Sequence, residues 1–311
     1  ATSNHPALLF LSACITGCGW ATMGAVALNG FVSPWFIRRR PFALSLAYNG
    51  ATLGGVVMTP VWVLSIANLG FGQAAAVIGG VMIAVVFGLL AAILSKRPRD
   101  VGQFPDGEDS DAAYQRHHAM PAIAKLRRNR SFLTLAAGMS IGLFAQVGML
   151  AHLFSMLLPI LGEANSGYLL SGATACAVLG RSLFGWLMPP GANRRVAAGL
   201  SYGVQITGCL CLIAGLTGNV PLAIAGVLLF GFGIGNATSL PPLIAQTDFP
   251  AEEVKRAVPL MVATAQAVYA FAPAVFGLVR GLENGNAAFF LAVAAVQVAA
   301  MVCFTIRRNA S

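Results

Sequence analysis

Long runs of apolar and small residues follow one another along this chain, separated by short polar segments, and no stretch alternates in polarity residue by residue. A helix needs roughly 20 apolar residues to cross the hydrocarbon core of a bilayer. Nine runs are long enough: 7–34, 42–66, 73–94, 132–158, 167–188, 196–217, 221–246, 257–279 and 287–306. The strands of a membrane β-barrel would be shorter and would alternate in polarity. The runs are rich in Gly, Ala, Ser and Thr, which let membrane helices approach closely. The pattern predicts an all-α membrane protein with nine transmembrane helices.

Composition agrees. Charged residues are 9% of the chain and hydrophobic ones 57%, where a soluble domain carries about 25% charged residues; the mean hydropathy is +0.77. The net charge of +9 raises the question of phosphate binding, but the positions of the charges answer it differently. If every span crosses once, all of the 19 lysines and arginines except Arg181 and Arg280 lie in loops on one side. Cytoplasmic loops carry such an excess. The basic loops and the C-terminus are therefore expected in the cytoplasm, Asn4 and His5 outside, and no nucleic-acid partner is expected. No basic segment precedes the first apolar run, so no cleavable leader is read there. All six cysteines sit in apolar stretches. Cys14 and Cys18, four apart, share a helical face but suit helix packing better than a metal, and no metal or cofactor is expected.

The expected organisation is three spans in 1–94, a cytoplasmic linker 95–131 and a six-helix unit 132–311. The linker holds the acidic run "DGEDSD" (106–111) and the basic run "KLRRNR" (125–130), the latter suited to lipid headgroups. His117 and His118 are an isolated pair and a weak metal signal. There is also an internal repeat. "GCGWATMGAVALN" with the basic turn and the helix reaching Pro60 has the layout of "GFGIGNATSLPPL" with the turn and the helix reaching Pro273. Parallel repeats of this kind are typical of one large transporter architecture.

The stretches "WFIRRRPFALSLAYNGATLGG" (35–55), "LRRNRSFLTLAAGMSIGLFAQVGMLAHLFSMLLPILG" (126–162), "ATACAVLGRSLFGWLMP" (173–189) and "YAFAPAVFG" (269–277) carry a resemblance. The chain resembles the Major Facilitator Superfamily and is closest to its monocarboxylate-transporter and oxalate:formate-antiporter-like branches. The resemblance implies a helical bundle of two six-helix halves. The long linker comes here after three spans, so the chain resembles spans four to twelve. The N-terminal half is expected to be incomplete, and this chain alone impaired.

Arg181 is the one basic residue inside a span, about 12 Å from its cytoplasmic end. An arginine at a helix centre costs roughly 2.5–3.5 kcal/mol on insertion scales. Three roles stay open for it: an anion anchor in an aqueous cavity, a structural donor to helix-end carbonyls, or a partner for an acid in a proton relay. Its fork suits a carboxylate, and the resemblance implies the first role. The monocarboxylate pattern has an aspartate where Ala177 stands, and the oxalate carriers' lysine has no counterpart in 257–279. The resemblance makes Gln146, Asn236, Gln266, Tyr269, Tyr48 and Asn49 candidate substrate contacts. Helix-to-helix hydrogen bonding is the plainer role for each of them, and Gln205 shares it. It also implies packing and bending at Gly50, Gly54, Gly55, Pro60, Gly231, Gly233, Gly235 and Pro273. His152 is read as an interfacial histidine.

The function expected is secondary transport of a small organic anion, monocarboxylate-like, across a bacterial inner membrane by alternating access, with a proton or counter-anion. The bilayer is the other partner, and no obligate protein partner is evident. Drug or metabolite efflux on the same fold and a non-transporting fragment are the alternatives. No span holds a nucleophile–base pair or a ligand set, so no enzyme is expected.

Overall fold

The computed structural model describes residues 6–32, 34–36, 40–105, 126, 128–187, 193–215, 218–282 and 285–306. Arg38, Arg39, the run 106–111, His117, His118, Asn4, His5 and the last five residues lie outside the described residues. The chain divides into two compact units, Ala1–Arg116 and His117–Ser311.

The first unit contains α1 (Pro6–Met23), α2 (Ala25–Val32) and α3 (Arg40–Leu89), followed by a π-turn (Leu90–Leu94) and a 3-10 turn (Pro98–Val101). The first expected span, 7–34, is divided at Gly24. α3 stays helical through Pro60 and breaks instead at Gly70, where φ 73° and ψ 162° carry the backbone into a region essentially reserved for glycine. Its outer surface is apolar and exposed, with Val81, Ile83 and Phe87 all more than half accessible. Lipid tolerates such a surface, provided backbone polar groups are satisfied within the helix.

The second unit contains α4 (Arg130–Leu187), α5 (Arg194–Gly215), α6 (Val220–Asp248), α7 (Ala251–Tyr269), α8 (Ala272–Arg280) and α9 (Gly285–Thr305). α4 has two arms, 130–161 and 163–187, joined at Gly162 (φ 76°, ψ 173°). Asn219 starts α6 by accepting from the Leu222 amide, and a proline occupies its first turn, where the missing N–H costs nothing. The expected span 257–279 is interrupted at Ala270–Phe271. Pro273, in the first turn of α8, has no N–H to continue the helix.

α4 packs on α6, α7, α8 and α9, and α5 packs against α6 and α9. One half of the core is aromatic. Phe276 meets Phe144 and Phe289 at 5.4 and 5.5 Å, and Phe289 meets Phe290 at 5.4 Å. Gly148 makes room for this cluster, since a Cβ there would overlap the Phe276 ring.

Among the described residues, six helices are long and apolar enough to cross a membrane: Leu64–Leu94, Arg130–Gly162, Arg194–Gly215, Val220–Asp248, Arg256–Arg280 and Gly285–Thr305. The expectation of nine is met only approximately. The arm 163–187 is not among the six, because Arg181 and the small polar residues around it lower its apolarity. The molecule is an all-helical, multi-pass membrane protein.

Candidate functional site

Arg181 sits where two helices touch backbone to backbone. A Cβ on Gly235 of α6 would lie 2.1 Å from the Ala177 carbonyl oxygen, and one on Gly180 would lie 2.0 Å from that of Phe232. A Cβ on Gly231 would come within 2.5 Å of the Ala173 carbonyl oxygen. Only small residues on both faces allow this approach.

The Arg181 side chain enters this crossing and is 8% exposed. Its Nε–H donates to the Gly235 carbonyl at 2.8 Å. The Ser239 hydroxyl donates to the same oxygen at 3.2 Å. A guanidinium is planar, so holding Nε fixes the direction of the whole fork. Ala177, where the resembling branch carries an aspartate, is buried one helical turn before Arg181, with its carbonyl against Gly235.

The other expected contacts are not all gathered here. Gln146 is 2% exposed and donates through Nε2 to the Gln205 side-chain oxygen at 2.8 Å; Gln297 donates to the same oxygen at 3.0 Å. The Cys209 thiol points at Gln297 Oε1, 3.9 Å away. These glutamines tie the first arm of α4 to α5 and α9, so helix-to-helix bonding accounts for Gln146. Asn236 follows Gly235 in sequence but faces another way. It lines a small void with Ser201 and Tyr202 of α5 and Phe304 of α9.

Gln266 and Tyr269 are half-buried on the last turn of α7, directly before the helix break. Beyond the break, His152 of α4 donates Nε2–H to the Pro273 carbonyl at 2.9 Å, and its ring meets Phe289 edge-on. Tyr48 is buried and Asn49 half-buried in α3, within the first unit. Of the glycines and prolines expected to pack or bend, Gly231, Gly233 and Gly235 are in tight contact, and Pro273 lies at a break. Gly50 and Gly54 have open space around a would-be Cβ. Gly55 and Pro60 lie within the unbroken first part of α3. Among the described residues no group of three or more His, Cys, Asp or Glu could hold a metal ion.

One polar cluster went unread in the sequence. Arg195, at the start of α5, donates through Nε and Nη2 to Asp248 Oδ2 at 2.9 and 2.8 Å. It also donates to the Ser131 carbonyl at 3.1 Å and to the Thr134 hydroxyl at 3.3 Å. Beside it Arg194 donates to the Leu243 carbonyl at 2.6 Å. The available signal was an acid, Asp248, ending a span on the side where the basic loops lie.

Comparison with known proteins places these features in a family. The model of the Major Facilitator Superfamily matches residues 1–273. The chain is 24% identical over 237 residues to the MFS-type transporter YcxA of Bacillus subtilis, covering 74% of this chain and 54% of that protein. It is 27% identical over 267 residues to the MFS transporter asaE of Aspergillus flavus, covering 81% of this chain and 54% of that protein. The chain spans about half the length of these curated relatives. With the family model covering most of its residues, the chain belongs to the Major Facilitator Superfamily.

Proposed function

We propose that the protein works as a secondary carrier for a small organic anion of the monocarboxylate class, by alternating access across a bacterial inner membrane with the basic loops in the cytoplasm. The observation that supports this is Arg181. A guanidinium buried at a close helix crossing, with its plane set by the Gly235 carbonyl, is pre-organised to bind a carboxylate through two charge-assisted bonds. With Ala177 at the aspartate position, proton coupling runs through a different group, or a counter-anion takes the proton's place. Gln266, Tyr269, Tyr48 and Asn49 remain candidate contacts for the rest of the ligand.

The test is exchange of labelled short-chain monocarboxylates by the full-length protein in proteoliposomes. Arg181→Gln should lower the exchange rate by about 10–150-fold, the worth of a hydrogen bond to a charged group. Arg181→Lys, which keeps the charge and loses the fork, should retain part of it. Exchange at the unaltered rate in Arg181→Gln overturns the anion site.

A further inference from the structure

Two buried polar groups of the second unit have no partner: the Tyr202 hydroxyl and the Asn236 Nδ2 amide. Each residue is 1% exposed. They belong to residues of different helices, α5 and α6, that line the same void, of about 160 Å³, with Ala198, Ser201, Pro241 and Phe304 among its walls; the Tyr202 hydroxyl itself lies over Gly142 of α4, where a Cβ would overlap it. The void has no point wide enough for a water molecule, so water does not satisfy them.

The two groups are chemically complementary. A phenol oxygen accepts from a carboxamide N–H, and a phenol O–H donates to a carboxamide oxygen. Exchanging the amide's O and N would therefore not remove the match. Neither group reaches the other in this structure, and buried polar groups seldom go unpaired in a native state.

The helix carrying Asn236 is built to shift. Small residues face both its neighbours: Gly235 and Gly231 touch the arm 163–187, and Gly233 lies against Ser201 and Gln205 of α5. Surfaces without large interlocking side chains slide with little repacking. Directly after Asn236, Pro241 and Pro242 lie inside α6. They deprive the carbonyls of Ala237 and Thr238 of their helical donors and soften that turn. Tyr202 is held in place by stacking on Phe304, with ring centroids 5.6 Å apart and planes 20° from parallel. The motion that closes the gap is therefore one of α6.

We infer that Tyr202 and Asn236 form a hydrogen-bonded latch that is open in this structure and closes in another state of the protein, when α6 shifts against α5. Gly235, which holds Arg181, precedes Asn236 in the chain. Release of Arg181 toward a ligand and closure of the latch therefore act on one turn of one helix. The latch rests on the alternating-access reading only in identifying the second state as a stage of transport.

The test reads the protein itself, without transport, so failure of the anion assignment leaves it intact. The full-length protein is labelled with 3-fluorotyrosine, and the Tyr202 fluorine resonance is assigned by its loss in Tyr202→Phe. Two Tyr202 environments are expected, and the hydrogen-bonded one should vanish in Asn236→Leu, or in Asn236→Ala if the leucine variant fails to fold. Tyr202→Phe keeps the stack on Phe304 and removes an unpaired hydroxyl, so its unfolding temperature should rise by about 2–4 °C. A single Tyr202 environment that ignores Asn236 overturns the latch. So does a lower unfolding temperature in Tyr202→Phe that persists in the Asn236→Leu background, which would mean that the hydroxyl is paired to another group.

Discussion

Gly235 illustrates how much one residue without a side chain can fix. Its missing Cβ lets α6 reach the Ala177 carbonyl, and its own carbonyl holds Arg181. Gly235→Ala would place a methyl 2.1 Å from a backbone oxygen, which cannot rotate away as a flexible side chain would. Overpacking of this kind costs about 1–3 kcal/mol or more, so thermal unfolding in detergent should fall by several degrees. Gly203, on α5, has open space where a Cβ would go. Gly203→Ala should instead gain about 0.5–1 kcal/mol from helix propensity alone. Equal shifts in the two variants would contradict the backbone contact. Arg181 was legible in the sequence because a lone cation in an apolar run stands out. The Gly235 contact was not legible, since that residue lies 54 positions away and offers only a carbonyl, which every residue has. Adjacency in sequence is a poor guide to facing, as Asn236 shows. Consecutive helical residues point about 100° apart, so the residue after Gly235 faces a different helix.

At the scale of elements, the periodic apolar runs placed α5, α6 and α9 within a few residues, because a bilayer sets the length of a helix that crosses it. The breaks were harder to read. Gly70 and Gly162 turn long helices with no polar loop between the arms, and both need backbone angles open almost only to glycine. In sequence they look like the many other glycines, most of which serve packing. Pro60 and Pro273 show the same ambiguity from the other side. α3 runs through the first, whereas the second follows the α7–α8 break, where His152 takes up its carbonyl. Gly162→Ala should cost about 1–3 kcal/mol, the strain of a non-glycine residue in that region. Gly167→Ala, in the same arm with open space around it, should cost nothing. Unfolding temperatures of the two variants, measured side by side, check this; an unaffected Gly162→Ala would mean that the turn is not held at that glycine.

For the molecule as a whole, the charge pattern gave the orientation expected of the basic side but not how that side is held together. In the six-helix unit, Arg195 joins three helix ends at once: Ser131 and Thr134 on α4, its own α5, and Asp248 at the end of α6. The pair is only 13% and 15% exposed, so water does not screen it as it would a surface pair. Removing one partner of such a pair leaves the other partly desolvated. A fully buried pair loses 3–5 kcal/mol in this way; with this residual exposure, about 1–3 kcal/mol is expected for Asp248→Asn or Arg195→Met alone. Once one partner is gone, the other contributes little, so the double variant should lose much less than the two single losses added together. The measurement is a double-mutant cycle on thermal unfolding in detergent. Additive losses would mean that the two residues act separately, Arg195 through Ser131 and Thr134 and Asp248 through its place at the end of α6. Strong non-additivity would make the pair one clasp, fastening the basic end of the bundle while Arg181 and the Tyr202–Asn236 pair, nearer the middle, are left to rearrange.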